Sequence, residues 1–101
     1  VRLPGLIRWG ADQPHLPMPT WTRKPQEVDG SHRFNSRTVI TRAAQAAITS
    51  AELLHLSTML RQAITKHDGL DYLQVFECDD GRVIWCIDDS EYVTWLLPED
   101  Y

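Results

Sequence analysis

The chain has 101 residues, 43% of them hydrophobic, with ten Lys or Arg against fourteen Asp or Glu and a net charge of −4. That length holds one domain with a modest core, and no run approaches the roughly 18 apolar residues that a spanning helix needs. There is no signal-peptide pattern, and Val1 fits either removal of an initiator Met or a trimmed sequence, so the expectation is a soluble, cytoplasmic protein with no membrane partner.

The charge is divided unevenly. Residues 1–42 hold seven Lys or Arg against three Asp or Glu, which gives +4, and residues 43–101 hold three against eleven, which gives −8. Either the opposite halves help the N-terminal segment dock on its own domain, or one half faces a charged partner.

Residues 1–35 read as an N-terminal arm. Pro4, Pro14, Pro17, Pro19 and Pro25, five of the six prolines, remove backbone donors and bias the residues before them away from the helical region. The arm is therefore expected to be extended or turn-rich. Trp9 and Trp21, with Leu3, Leu6, Ile7, Leu16 and Met18, are costly to leave in water. They should lie on the second face of the chain's own sheet or on another protein, with the tryptophans as buried anchors and Arg8, Arg23 and Lys24 at the rim. Asp29-Gly30 reads as a turn.

Residues 36–101 read as a small α+β domain. The run 37–42, RTVITR, has the composition of a short strand. Residues 43–47 suit either one helical turn or a loop. Thr49 and Glu52 have capping-box spacing, with Ile48 and Leu53 at the hydrophobic-staple positions. Leu53, Leu56, Leu60, Ala63, Ile64 and His67 then recur at helical spacing over 50–67, and Gly69 is placed to end the helix.

The stretch 71–89, DYLQVFECDDGRVIWCIDD, reads as a β-hairpin. Asp80-Gly81 favours a two-residue type I′ turn. In that register Asp79 faces Arg82, Glu77 faces Ile84, Phe76 faces Trp85 and Val75 faces Cys86. Tyr72, Phe76, Cys78, Val83, Trp85 and Ile87 would share one face, and Leu73, Val75, Ile84 and Cys86 the other. Both faces are apolar, so a helix should cover one, and the N-terminal segment or a partner the other. Cys78 and Cys86 would point to opposite faces. A three-residue loop would put them on one face but roughly 13 Å apart, beyond the reach of about 7 Å that a disulfide needs. Unbridged thiols agree with a reducing compartment. A last strand, 92–97, stops at Pro98. The expected class is α+β: one amphipathic helix packed on a mainly antiparallel sheet in the order β-α-β-β-β, with an extended Pro-rich N-terminal arm.

Thr41-Arg42, the run 71–77 (DYLQVFE), the run 87–89 (IDD) and the run 96–101 (LLPEDY) resemble a family of small bacterial proteins of unknown function found in staphylococci and their relatives. The resemblance covers residues 38–101 and leaves the arm outside. Ala43 stands where the family pattern has glycine. What the resemblance implies is the fold; it carries no activity, cofactor or partner.

Few constellations point to chemistry. Asp79-Asp80 and Asp88-Asp89, with Glu91, invite a metal or acid/base reading, but neighbouring strand carboxylates point to opposite faces and none has EF-hand spacing. Turn chemistry explains them. His15, His32, His55, His67, Cys78 and Cys86 form no zinc-ligand pair. Both cysteines lie in apolar runs, where thiols are inert; His67 suits a helix C-terminus, and no glycine-rich phosphate loop occurs. No cofactor is implied. Arg23, Lys24, Arg33, Arg37 and Arg42, interleaved with Trp21 and Phe34, suit a nucleic acid, against an acidic whole with pI near 5.4.

The leading expectation is a non-enzymatic protein-interaction module, of a size that suits an accessory or inhibitor protein of a phage or mobile element. Its partner would be another protein with a basic surface, or a second copy of the chain. The expected binding residues are Trp9, Trp21, Arg8, Arg23, Lys24, Asp88, Asp89 and Glu91. Nucleic-acid binding through the arm comes second, and an enzyme with an unrecognised site third.

Overall fold

The computed structural model describes residues 18–101; Arg8 and Trp9 lie outside them. The fold is α+β. Strands β1 (Trp21–Arg23) and β2 (Arg37–Ile40) precede helices α1 (Arg42–Ala47) and α2 (Ser50–His67), and β3 (Leu73–Cys78), β4 (Val83–Asp88) and β5 (Tyr92–Leu96) follow. They form one five-stranded sheet in the order β1-β3-β4-β5-β2. The β1–β3, β3–β4 and β4–β5 pairs are antiparallel, whereas β2 runs parallel to β5 at the far edge.

The long helix starts as its sequence dictates. The Thr49 hydroxyl accepts the Glu52 N–H at 3.0 Å, and the Glu52 carboxylate accepts the Thr49 N–H at 2.9 Å. Two of the helix's orphan donors are thereby satisfied reciprocally. At the other end Asp68 turns left-handed (φ 56°) and Gly69 follows at φ 113°. The apolar stripe holds through Leu56, Leu60, Ala63 and Ile64, which are buried, while His67 is exposed. The ambiguous 43–47 stretch is helical: the Thr41 hydroxyl caps it by accepting the Ala44 N–H at 3.1 Å.

The hairpin turn has three residues where the sequence suggested two. Cys78 N–H donates to Arg82 C=O at 2.9 Å, and Gly81, at φ 99°, donates to Cys78 C=O at 3.0 Å. Glycine thus takes the left-handed place of a bulged loop and Asp80 does not need it. A shift of one residue exchanges every pairing: Leu73 faces Ile87, Val75 faces Trp85 and Phe76 faces Ile84. Phe76, Cys78, Ile84 and Cys86 therefore share the helix side, and Leu73, Val75, Val83, Trp85 and Ile87 the other. Cys78 and Cys86 are both buried and unbridged.

A strand the sequence did not announce lies inside the segment read as an arm. Trp21–Arg23 pairs with β3, Trp21 opposite Cys78 and Arg23 opposite Phe76. Pro19 before it and Pro25 after it bound a short run, and flanking prolines, which cannot donate to a ladder, suit the edge position that β1 takes. Asp29-Gly30 is not a turn but a close approach. A Cβ on Gly30 would stand 2.3 Å from the Leu70 carbonyl oxygen, beside the bridge in which His32 and Leu70 exchange backbone bonds of 2.8 and 2.9 Å.

On the helix side lies the core: Phe76, Ile84, Cys86, Val93 and Trp95 against Leu56, Leu60 and Ile64, with the Phe76 and Trp95 rings 5.5 Å apart. Along β3 and β4 burial alternates, buried toward α2 and half-buried on the opposite side except at the exposed Glu77. No helix among the described residues is long and apolar enough to cross a membrane.

Candidate binding surface

Every charged side chain placed near the core has an internal partner, and these pairings decide which residues remain for binding. Glu52, 3% exposed, accepts four bonds: the Thr49 N–H, Arg82 Nη1–H at 3.0 Å, Arg82 Nη2–H at 2.6 Å and the Trp21 Nε1–H at 3.1 Å. A carboxylate has about four lone-pair sites, so it is saturated. The Arg82 bonds hold its pKa near 2; burial opposes them, and the Thr49 N–H and Trp21 indole add to them. Arg82 also donates to Ala47 C=O at 2.8 Å, pairs with Asp80 at 2.8 Å and lies 5.2 Å from the Trp21 ring centroid. Its bonds to Glu52 and then Asp80 raise its pKa, and its hydrogen bond to Asp80 holds that carboxyl well below the usual range. The hairpin tip, β1 and the start of α2 are thus clamped at one point.

Trp21, expected as a binding anchor, is 4% exposed and belongs to this clamp. Arg23 donates to the buried Gln74 carbonyl at 2.5 Å, and Lys24 pairs with Glu77 at 3.4 Å on the surface. Asp88 is 5% exposed and accepts the Phe34 N–H at 3.0 Å and the Ser90 N–H at 2.9 Å. Those bonds hold two non-glycine residues with positive φ, Phe34 at 52° and Ser90 at 80°. Asp89 accepts the Glu91 and Tyr92 N–H groups at 2.9 and 2.7 Å, which hold its carboxyl below the usual range. Asp88, Asp89 and Glu91 therefore build one turn. Arg33 pairs with Asp68, and Phe34 is 3% exposed. Trp21 and Phe34, the aromatics that suited a nucleic acid, are thus both buried, while Arg33, Arg37 and Arg42 are exposed.

Burial raises the pKa of Cys86 far above the usual thiol range, with Asp88 adding to the effect. Cys78 is raised for the same first reason.

The opposite side of the sheet differs. Leu73, Val75, Val83, Trp85 and Ile87 form a half-buried apolar strip. Tyr101, 78% exposed, stands edge-on to Trp85 with centroids 5.7 Å apart. Beside the strip a cleft of about 400 Å³ opens between β3 and the segment 24–28 that leaves β1. Pro25, Val28, Leu73 and Val75 supply its apolar wall, and Glu27, Asp71 and the Lys24–Glu77 pair its polar rim. Val28 is 58% exposed. Gln26 holds the cleft's shape, its side-chain carbonyl accepting the Asp71 N–H at 2.9 Å and the Gln74 Nε2–H at 3.0 Å.

In comparisons with known proteins, no family model, curated protein or solved structure matches the chain.

Sequence reasoning named Lys24 as a rim residue of the arm and placed Leu73 and Val75 on an apolar sheet face that needs a cover, but it did not single out Pro25 and Val28 as the facing wall. The signal was present: Val28 is the one large aliphatic between Pro25 and Phe34, an odd residue to expose in a polar loop. Glu52 was legible only as a helix cap, because its pairing with Arg82 depends on the hairpin register.

Proposed function

We propose that the protein is a non-enzymatic, cytoplasmic protein-interaction module. Its binding surface is the cleft of Pro25, Val28, Leu73 and Val75 with the adjoining strip of Trp85 and Ile87. The observation behind this reading is the contrast between the two sides of one sheet. On the helix side the large side chains of β3 and β4 are buried; on the other, their apolar side chains stay half open around a cleft. Contiguous apolar surface of that kind marks an interaction site more often than a neutral surface. The rim selects the occupant: Glu27 and Asp71 beside an apolar wall suit an extended segment that seats one aliphatic or aromatic side chain and places a Lys or Arg next to it. A small accessory or inhibitor protein has this form.

The test is selection of peptides from a random display library on the full chain. Enrichment of peptides pairing an apolar residue with a nearby Lys or Arg, lost when Val75→Arg replaces the wild type as bait, supports the reading. No enrichment, or peptides indifferent to Val75→Arg, refutes it.

A further inference from the structure

Residues 1–17 have a composition that matches the open strip. Residues 1–17 carry Leu3, Leu6, Ile7, Trp9 and Leu16, with Arg2 and Arg8 against Asp12, a net +1. The rim beside the strip carries the carboxylates of Glu27 and Asp71 next to the Lys24–Glu77 pair. Apolar content and charge both fit. Position fits as well. The Asp79 N–H donates to the Thr20 carbonyl at 2.9 Å, so the chain enters β1 at the hairpin-tip end of the sheet. From Trp9 to Met18 an extended chain spans up to about 30 Å, whereas β4 from Val83 to Ile87 covers about 13 Å. Trp9 can therefore reach any point of the strip without disturbing β1. The prolines at 4, 14 and 17 favour the extended form such a cover needs and lower its ordering cost.

We propose that residues 1–17 are the resident cover of the outer sheet face, with Trp9 seated near Val75 and Trp85. A partner segment that binds there must then displace them. Only that last consequence rests on the interaction-module reading; the cover itself does not.

The experiment places the photo-crosslinking residue p-benzoylphenylalanine at position 9 of the full chain, then maps the products by mass spectrometry. The expected product is a crosslink within one chain to residues 73–75 or 83–87, reduced severalfold by Val75→Arg and by Arg8→Glu. A crosslink between two chains at the same residues overturns the proposal in favour of exchange between copies. Crosslinks elsewhere, or none, overturn it outright. The same probe at position 6 should label the same face; if neither position does, the result is negative whatever the effect of one substitution. No partner is needed, so failure of the peptide selection and failure of this mapping are separate results.

Discussion

Replacing Arg82 by Met tests the clamp that joins the hairpin tip to the helix. The substitution keeps an unbranched chain but removes both bonds to Glu52 and the bond to Ala47 C=O. Glu52, 3% exposed in the wild type, keeps two donors, Thr49 N–H and Trp21 Nε1–H. A pKa lowered from 4.5 to about 2 corresponds to roughly 3 kcal/mol of interaction favouring the charged form. The Arg82 side chain is 31% exposed, so solvent screening brings its share to about 2 kcal/mol. Chemical denaturation at pH 7 should show that loss, equivalent to a fall in Tm of roughly 8–16 °C for a domain of this size. The loss also has a pH signature. A carboxylate with a depressed folded-state pKa contributes stability above its unfolded pKa, and that stability is lost as pH falls toward the folded value. For the wild type this window runs from about 4.5 down to about 2. In Arg82→Met the depression is smaller, so the two proteins should converge in stability as pH is lowered through that window. A double-mutant cycle with Glu52→Gln isolates the pair. A loss at pH 7 below about 0.5 kcal/mol, in the range of ordinary surface substitutions, or one unchanged at pH 3, would refute the reasoning.

Three further outcomes follow from the geometry. Asp88→Ala removes the acceptor of the Phe34 and Ser90 N–H groups and should cost about 2 kcal/mol in a urea melt; Asp88→Asn, which keeps one acceptor oxygen, should cost less. Gly30→Ala forces a Cβ against the Leu70 backbone, and overpacking of this kind should lower stability by about 1–3 kcal/mol, read as a lower melting temperature by circular dichroism. Cys86 is wholly buried with a strongly raised pKa, so its reaction with a thiol reagent at pH 8 should track unfolding and accelerate in urea; labelling at the rate of a free thiol in native buffer would contradict that placement.

How far the sequence led depends on the range of the interaction concerned. Thr49 and Glu52, three residues apart, determine the start of α2, and the leucine stripe determines which side of it is buried, because both are settled within a few helical turns. The meander was legible for the same reason: alternating β-branched and aromatic residues around Asp80-Gly81 allow little else. Its register was not. Two-residue and three-residue turns differ little in local energy, and burial of Phe76, Ile84 and Cys86 against Leu56 and Leu60 selects the three-residue loop. That one-residue choice carries Leu73, Val75 and Trp85 to the open side and so creates the candidate surface.

Trp21 illustrates the rest. Its indole is costly to leave in water, which composition alone establishes. Whether it binds a foreign protein or its own core depends on Glu52, 31 residues away, and on Arg82, 61 away. Only the folded sheet brings the three together, because a saturated carboxylate, a guanidinium and an indole gain from meeting where water is excluded. The sequence by itself determined the long helix with its apolar stripe and the presence of the later strands, since these follow from local spacing. Tertiary packing decided the register, the edge strand at Trp21–Arg23 and the half-open outer face, since each depends on groups far apart in the chain.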